Sequence, residues 1–360
     1  MKSLSVVKLT SAVALCATAV LLSGCGEDDR PPINSLIVFG SSLSDVGSYK
    51  AGAIAAVGGG RSTVNPGKIW VEYLADTLGT SIKPGMVGFA AAPVICPQTP
   101  CTGWAQGGSR ITNPTGAGKA TGILTVPLTQ QMDLQLAQRA AYTASDLVVI
   151  TAGSNDVFEL AKTFSPSVTA LITSGQSSSA AQAQVVNSIN QAVVLAANEL
   201  VDLIDKKILA KGALNVLMLT NGDTAGTPTA ALADATVPGS SVLLSQWIKL
   251  HNDTVAAGIA VKKLAVFSVN IDDLTKLVLA KPTDYGFSNV TTPICDVTKI
   301  ALATGGLVTD GNSLVCTANT LKTGSDINTW LYADTAHYGV TMHKVIADFV
   351  TKQLRTQGWI

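Results

Sequence analysis

Charged residues are few in this sequence, and basic residues form no cluster. Of 360 residues only 13% are charged, and the 24 Lys and Arg residues balance the 24 Asp and Glu residues. Proteins that bind nucleic acids draw much of their affinity from clustered cations that contact phosphates. The composition therefore argues against a nucleic-acid partner. A hydrophobic fraction of 47% is enough for one sizeable globular domain, or at most two.

An apolar stretch near the N terminus is too short to span a membrane as a helix, which takes about 20 residues. It runs from Leu9 to Leu22 and follows Lys2 and Lys8. A short apolar stretch after basic residues is typical of a secretory signal peptide. We therefore expect residues 1–24 to be removed on export.

The end of this stretch, Leu22-Ser23-Gly24-Cys25, resembles the bacterial lipobox, at which the signal is cut and the cysteine is lipidated. A lipidated Cys25 would anchor the chain to a membrane, and residues 25–34 would form a polar tether. No aspartate follows Cys25 directly, which is similar to lipoproteins passed on to the outer membrane of Gram-negative bacteria. An ordinary secretory signal with an incidental cysteine is the alternative, and the protein would then be secreted.

Few cysteines remain beyond the signal segment. Of six cysteines, Cys16 and Cys25 belong to that segment, which leaves four: Cys96, Cys101, Cys295 and Cys316. An even number in an exported protein favours disulfides, with three possible connectivities, and we favour pairing of sequence neighbours, 96 with 101 and 295 with 316. No histidine or second cysteine stands beside them at metal-ligand spacing, so we expect no metal site and no cofactor.

Short apolar runs alternate with longer stretches that have helical spacing. Buried parallel strands are expected in the runs, which are rich in Val, Ile and Leu: Ser35 to Phe39, Asp146 to Thr151, Asn215 to Thr220 and Leu264 to Val269. Helices are expected at residues 68–78, 180–209 and 241–261. The alternation predicts one domain, residues 35–360, with a three-layer, doubly wound α/β/α fold and a mainly parallel sheet. In such sheets ligands bind at the carboxyl ends of the strands.

Three segments do not fit this alternation. Residues 84–127 and 285–325 are rich in Gly, Pro and Thr, and each holds one cysteine pair. We expect long loops there, pinned by disulfides. Residues 163–179 are rich in Ser and Thr, and we expect a mobile flap or a helix cap.

Three histidines are available as a general base. A serine hydroxyl is a poor nucleophile near neutral pH, so it needs a base, and the base needs an orienting acceptor. Ser42 follows the first strand, just past a glycine, and is the expected nucleophile. His251 and His343 lie in helical stretches and are expected to be structural. His337 instead lies in a short polar turn, three residues after Asp334, where a carboxylate can orient one imidazole nitrogen while the other faces the substrate.

Two further segments offer groups for an oxyanion site. Backbone N–H groups and a side-chain amide can stabilise the oxyanion that forms when an ester is attacked. Asn155 comes shortly after the strand that ends at Thr151, and Gly107-Gly108 offers a glycine N–H. Taken singly, Asn155 is more typical of a turn and Gly107-Gly108 of a bend.

These motifs follow one another along the chain as Gly40-Ser41-Ser42-Leu43-Ser44-Asp45, then Gly107-Gly108, then Gly153-Ser154-Asn155-Asp156, then Asp334-Thr335-Ala336-His337. In that order they resemble the SGNH hydrolases, the GDSL esterase/lipase family. Residues 66–75, 221–228 and 285–290 are also similar to stretches of its bacterial secreted esterases. The resemblance covers residues 35–350 and implies a flavodoxin-like α/β fold.

The resemblance implies a role for each of five residues. Ser42 is implied as the nucleophile, His337 as the general base and then acid, and Asp334 as the carboxylate that orients His337. The N–H groups of Ser42 and Gly108 and the side-chain amide of Asn155 are implied as oxyanion donors. No metal and no cofactor enter this chemistry.

The sequence departs from the family at two positions and leaves one choice open. Ser41 stands where the family has aspartate; that aspartate is not the proton acceptor, so the chemistry should survive, but the loop geometry and the rate are in question. Tyr338 stands where proline is usual after the histidine, which changes the exit of the chain rather than the triad. An alignment by eye favours Gly108 over Gly107 as the glycine donor.

The sequence therefore predicts an exported serine esterase or lipase that hydrolyses carboxylic esters through an acyl-enzyme. Its substrate would be a lipid, a small ester or a polymer ester, and its membrane contact would be the lipid anchor. One alternative is an acyltransferase that uses the same triad. Another is a non-catalytic binding lipoprotein, suggested by Ser41 and the loop at residues 84–127. Acyl chain length, natural substrate and oligomeric state are left open.

Overall fold

A parallel sheet forms the centre of the computed structural model, which describes residues 31–96 and 101–360. The strands in these residues are β1 (Ser35–Gly40), β2 (Met86–Val87), β3 (Val94–Ile95), β4 (Asp146–Thr151), β5 (Asn215–Leu219) and β6 (Phe267–Val269). The sheet has the order β1-β4-β5-β6, and every neighbouring pair is parallel. β2 and β3 form a separate antiparallel pair. The carboxyl ends of β1, β4 and β5 therefore meet at one edge.

Eleven α-helices lie in the described residues. They are α1 (Gly52–Ala56), α2 (Trp70–Thr77), α3 (Leu128–Gln138), α4 (Ser154–Lys162), α5 (Phe164–Thr173), α6 (Ser178–Leu203), α7 (Pro228–Thr236), α8 (Ser240–Lys262), α9 (Ile271–Ala280), α10 (Val297–Ala303) and α11 (Val340–Thr356).

The sheet is buried on both faces because successive side chains of a strand point to opposite sides. In β1, Leu36 and Val38 pack into a core with α2, α9 and α11. Ile37 and Phe39 pack on the other side with α3, α6 and part of α8. Helices thus cover both faces, and the predicted three-layer α/β/α class is confirmed.

The predicted elements are present, with some differences at their ends. β6 begins at Phe267 rather than at residue 264, and the long helix α6 continues past Leu203 as a π-helical stretch at Ile204–Ile208. At residues 163–179, where the sequence predicts a mobile flap or a helix cap, residues 164–173 form the helix α5. The reason is packing: Val168 is buried in a cluster with Val185 of α6. The cap half of that expectation is confirmed, since the Ser177 side chain accepts a hydrogen bond from Ala180 N–H at the start of α6.

The two loop-rich segments each contain one disulfide, with the predicted pairing. Cys96 pairs with Cys101, and Cys295 pairs with Cys316. The second bridge lies beside the chain segment just before Asp334, since Cys295 N–H donates to the carbonyl of Ala333.

The N-terminal predictions lie outside the described residues, because these begin at Pro31. They include the signal peptide at residues 1–24 and the lipidated Cys25. Residues 31–34 of the predicted tether have no regular secondary structure, and residues 31–360 form one compact unit. Within the described ranges, no helix combines the length and the apolar character needed to cross a membrane.

Candidate active site

β1 brings Ser42 to the carboxyl edge of the sheet. The strand ends at Gly40, which lies so close to β4 that a Cβ there would be 2.0 Å from the carbonyl oxygen of Thr151. Gly40 also has a φ of +140°, a value that side-chain-bearing residues rarely adopt. Ser41 N–H then donates to the Thr151 carbonyl at 3.0 Å. The chain turns here, and Ser42 is half-buried at the wall of a cavity.

The structure brings Ser42, His337 and Asp334 into one hydrogen-bonded chain. Nε2 of His337 lies 2.9 Å from Oγ of Ser42. Nδ1 of His337 lies 2.9 and 2.8 Å from the two carboxylate oxygens of Asp334. A carboxylate can only accept, so Nδ1 carries the proton, and Nε2 is free to accept the proton of the Ser42 hydroxyl.

The Asp334 carboxylate is held by backbone N–H groups as well as by the imidazole. One oxygen accepts from Ala336 and His337, each at 2.8 Å. The other accepts from Ser313 at 2.7 Å. Ser313 lies three residues before the disulfide-bonded Cys316, so the loop at residues 285–325 contributes directly to the orientation of Asp334.

The proximity of the two side chains sets their protonation. Burial raises the pKa of Asp334, but the neighbouring His337 and the hydrogen bonds from His337 and Ser313 outweigh it and hold the pKa well below its usual range. Burial lowers the pKa of His337, but the charge and hydrogen bond of Asp334 outweigh it and raise the pKa above the usual value. Asp334 is therefore ionised when His337 titrates, and the pair stabilises an imidazolium.

The other two histidines are buried and lie apart from this chain of hydrogen bonds. His251 on α8 lies 3.2 Å from the side-chain nitrogen of Asn221, and burial lowers its pKa to about 4. His343 on α11 packs edge-on against the ring of Tyr338, and burial lowers its pKa to about 3. Both are packing residues that stay neutral near pH 7.

The loop at residues 102–109, here called the oxyanion loop, runs beside β1. Val38 N–H donates to the carbonyl of Thr102, and Gln106 N–H donates to the carbonyl of Gly40. This path brings Gly107 next to the nucleophile position, because a Cβ on Gly107 would lie 3.7 Å from Cβ of Ser42.

The two glycines of this loop differ in what their N–H groups do. Gly107 N–H donates to a carboxylate oxygen of Asp45 at 2.9 Å. In the described part of the chain, the N–H groups of Gly108 and Ser42 have no acceptor. Gly107 is therefore engaged elsewhere, and this supports Gly108 as the oxyanion donor.

Asn155 reaches the same place from β4. It lies on the first turn of α4, just after Gly153, and its side chain is largely buried. Its side-chain nitrogen donates to the carbonyl of Ser109 in the oxyanion loop at 2.9 Å. An amide nitrogen carries two hydrogens, so one remains for a ligand in the cavity that Ser42 also faces.

Sequence reasoning missed two buried aspartates, one of which holds the oxyanion loop and the other the residues that follow it. Asp45 accepts from Gly107 and also from both the N–H and the hydroxyl of Ser48. Asp156 accepts from Ile111 N–H at 3.0 Å, just beyond the loop. Their positions beside the predicted site residues, in Ser42-x-x-Asp45 and Asn155-Asp156, were the available signal.

The two departures from the family pattern fit into this framework. Ser41 is buried under the turn, with its N–H on Thr151 as described above. Tyr338 stacks on Tyr332 with ring centroids 5.8 Å apart, and its carbonyl accepts from the hydroxyl of Thr63. The chain leaving His337 is thus fixed by packing instead of by a proline.

A cavity of about 570 Å³ opens onto Ser42 and His337. One part of it has polar walls that include Asn221, Asp223 and Thr227. Six apolar lining residues belong to one packed cluster, and the wall that they form is here called the apolar arm: Phe158, Ala161, Phe164, Leu243, Leu244 and Trp247. Among the residues that the structure describes, no group of three or more His, Cys, Asp or Glu side chains could hold a metal ion.

Comparison with protein families gives this geometry a context. The family model described as GDSL-like Lipase/Acylhydrolase matches residues 36–350. The chain belongs to the GDSL-like lipase/acylhydrolase family. The matched range contains all five predicted site residues, and membership supports ester hydrolysis in general. No curated protein matches this chain.

Proposed function

We propose that this GDSL family member is a serine esterase or lipase that works through an acyl-enzyme on Ser42. The observation that carries the proposal is the contact of 2.9 Å between Oγ of Ser42 and Nε2 of His337, with Asp334 on the other imidazole nitrogen. A nucleophile in contact with a base, and a base in contact with an orienting acceptor, is the arrangement that acyl transfer needs.

In the first half of the reaction, Oγ of Ser42 attacks the ester carbonyl carbon while His337 takes its proton at Nε2. The carbonyl oxygen becomes negative and accepts from Ser42 N–H, Gly108 N–H and the Asn155 amide. The C–O bond to the alcohol then breaks, and His337 returns its proton to the leaving oxygen. In the second half water replaces the alcohol, and the acid is released.

Replacement of the nucleophile tests the proposal. We expect Ser42→Ala to lose about 10⁴-fold or more in kcat on p-nitrophenyl butyrate, because no oxygen remains at the attacking position. Ser165→Ala, at an exposed position of α5, should keep wild-type turnover. Near-wild-type turnover of Ser42→Ala would refute the assignment. Product analysis with glycerol present separates hydrolysis from acyl transfer.

For the substrate, we propose a hydrocarbon acyl chain that lies in the apolar arm. Asn155, Phe158 and Ala161 follow one another along α4, so the arm begins one helical turn from the Asn155 amide. Phe164 and Trp247 extend it, with ring centroids 6.0 Å apart, and the Trp247 N–H is already satisfied by Asn190. The alcohol must leave beside His337, which protonates it, and this assigns the Asn155 side to the acyl group.

A chain-length series tests the acyl assignment. Each buried methylene contributes about 0.8 kcal/mol, so kcat/KM should rise roughly fourfold per added methylene among short p-nitrophenyl esters. Ala161→Trp should flatten this rise by filling the arm and leave acetate turnover nearly unchanged. Ala170→Trp, exposed on α5, is the control. If kcat/KM instead rises with the length of the alcohol in a series of alkyl acetates, the assignment of the apolar arm to the acyl chain is wrong.

Lipid attachment at Cys25 is a separate proposal supported by the lipobox-like sequence. Cells that express the full chain should incorporate labelled palmitate into the protein, and Cys25→Ser should abolish the label and release the protein from the membrane fraction. Equal labelling of the wild-type protein and of Cys25→Ser would contradict lipidation at Cys25. Cys16→Ser is the matched control.

A further inference from the structure

Tyr49 lies buried beneath the two glycines of the oxyanion loop, and the proposed chemistry does not use it directly. Its side chain is 1% exposed. Its hydroxyl donates to the carbonyl oxygen of Gly107 at 2.7 Å. The ring also lies close to Gly107, because a Cβ on that residue would be 3.1 Å from a ring carbon. Tyr49 therefore contacts both the backbone and the surface of the Gly107-Gly108 turn.

The carbonyl that Tyr49 holds belongs to the same peptide unit as Gly108 N–H. In a trans peptide the C=O and the N–H are coplanar and point in opposite directions. A hydrogen bond that fixes the Gly107 carbonyl on the Tyr49 side therefore aims Gly108 N–H to the other side. The direction of the proposed oxyanion donor is thus set by a hydroxyl that is itself hydrogen-bonded to the backbone.

This peptide needs such a restraint because glycines flank it on both sides. Glycine populates positive and negative φ almost equally, so rotation of the peptide between two glycines meets little steric resistance. Gly108 has a φ of +76°, and a Cβ there would lie 2.1 Å from the carbonyl oxygen of Ala117. The site therefore requires glycine at this position, and the freedom that glycine brings must be removed by another group.

A second hydrogen bond fixes the Tyr49 hydroxyl itself. Thr125 N–H donates to the Tyr49 oxygen at 3.2 Å. With that lone pair occupied, the single hydroxyl proton points to Gly107. Burial raises the pKa of Tyr49 well above its usual value, so the proton is retained.

Thr125 adopts an unusual backbone conformation to make this contact. Its φ is +49°, which is an outlier for a β-branched residue, and its side chain is fully buried. Strained residues of this kind persist where the surroundings hold them, and they cluster at functional sites.

We propose that Tyr49 is a positioning residue for the oxyanion site: together with Thr125 N–H it holds the Gly107-Gly108 peptide with Gly108 N–H turned toward the substrate oxygen. The inference rests on the proposed esterase function. Asp45 holds the preceding N–H of Gly107, so the turn is restrained at two consecutive peptides.

Removal of the Tyr49 hydroxyl should lower transition-state stabilisation without preventing substrate binding. We expect Tyr49→Phe to reduce kcat about 10- to 100-fold on p-nitrophenyl butyrate, less than loss of a whole donor, because Gly108 N–H stays present but misaligned part of the time. KM should change little, since the ground-state carbonyl gains less from the donor than the oxyanion does. Phosphonylation by a fluorophosphonate should slow by a similar factor.

Tyr142→Phe is the matched control for the loss of a buried hydroxyl. Tyr142 is 6% exposed, and its hydroxyl has no partner among the described residues. The Tyr142→Phe variant should keep the wild-type kcat. Acylation rates should be divided by the concentration of active sites, taken from the end point of fluorophosphonate labelling, so that unfolded protein does not contribute.

The outcomes separate this inference from the proposed function. If Tyr49→Phe acylates at the wild-type rate per active site while Ser42→Ala is inactive, the function stands and the positioning role is wrong. If Tyr49→Phe raises KM and leaves kcat unchanged, the role is also wrong. If Ser42→Ala retains turnover, the proposed function itself fails.

Discussion

The two segments that meet at Ser42 are held in different ways. The turn that carries Asp334 and His337 is held mostly by its own backbone, since the Asp334 carboxylate accepts N–H groups two and three residues further on. The oxyanion loop is held by side chains from distant parts of the sequence. Tyr49 and Asp45 bind Gly107 across 58 and 62 residues. The base is therefore a local motif, whereas the oxyanion site depends on tertiary packing.

This difference leads us to expect different losses of activity when the two segments are mutated. The acid–base side is the turn with Asp334 and His337, and the oxyanion side is the oxyanion loop with Asn155. On the acid–base side one carboxylate controls both the tautomer and the charge of His337, so its loss disables proton transfer altogether. On the side of the proposed oxyanion site three donors would stabilise the negative charge together, and loss of one would leave the other two in place.

Asp334→Asn should have the largest effect. The amide keeps the shape of the carboxylate but favours the wrong imidazole tautomer, so kcat should fall about 10⁴-fold. Asp348→Asn, an exposed carboxylate on α11, should leave kcat unchanged. Steady-state rates on p-nitrophenyl butyrate measure both. A fall of less than about tenfold would mean that Asp334 does not orient the base.

Asn155→Ala should have a smaller effect, confined to the oxyanion side. We expect kcat to drop about 10²- to 10³-fold with little change in KM, because one of three donors is removed. Asn187→Ala, exposed on α6, is the control. If Asn155→Ala lowered kcat as much as Asp334→Asn does, the expected difference between the acid–base side and the oxyanion side would be wrong.

The pH dependence should report the acid–base side. Protonated His337 cannot accept the Ser42 proton, so kcat/KM should fall tenfold per pH unit below its pKa and level off above it. Because Asp334 raises the pKa of His337, the midpoint should lie above the usual histidine value of 6.5. Asp310, which also raises this pKa, allows a check: Asp310→Asn should move the midpoint down slightly. A midpoint below 6.5 would contradict the assignment.

Removal of the two disulfides should differ most in its effect on kcat. Replacing both Cys295 and Cys316 by Ser opens a 21-residue separation and should cost about 3 kcal/mol of stability. The same change at Cys96 and Cys101, five residues apart, should cost about 2 kcal/mol. Only the first should also lower kcat a few-fold, through Ser313 and Asp334. Urea unfolding and kcat, measured together, decide this.

The parts of the molecule that the sequence predicted are those with local signals. The strands ending near Ser42 and Asn155 are short runs of apolar residues, and between helical stretches such runs predict buried strands. Asp334 and His337 stand three residues apart, so a contact between them needs no long-range information. These elements could be predicted because each lies within one stretch of sequence.

The parts that escaped prediction depend on contacts across the fold. The sequence favoured Gly108 over Gly107 only through an alignment by eye; the physical support for that choice is the hydrogen bond from Gly107 N–H to the Asp45 carboxylate, whose direction no local pattern reveals. Residues 164–173 have few strong helix signals, and α5 is stabilised by the packing of Val168 against α6. The apolar arm likewise combines side chains of α4, α5 and α8, which only the folded chain brings together.

Ser42 is the residue that we expect to become acylated. Peptide mapping by mass spectrometry after reaction with a fluorophosphonate tests this directly. We expect one adduct, on Ser42, in the wild-type protein, and none in Ser42→Ala. An adduct on a different residue, or an unlabelled protein that still hydrolyses esters, would contradict this expectation; an unlabelled protein without activity would favour a binding protein.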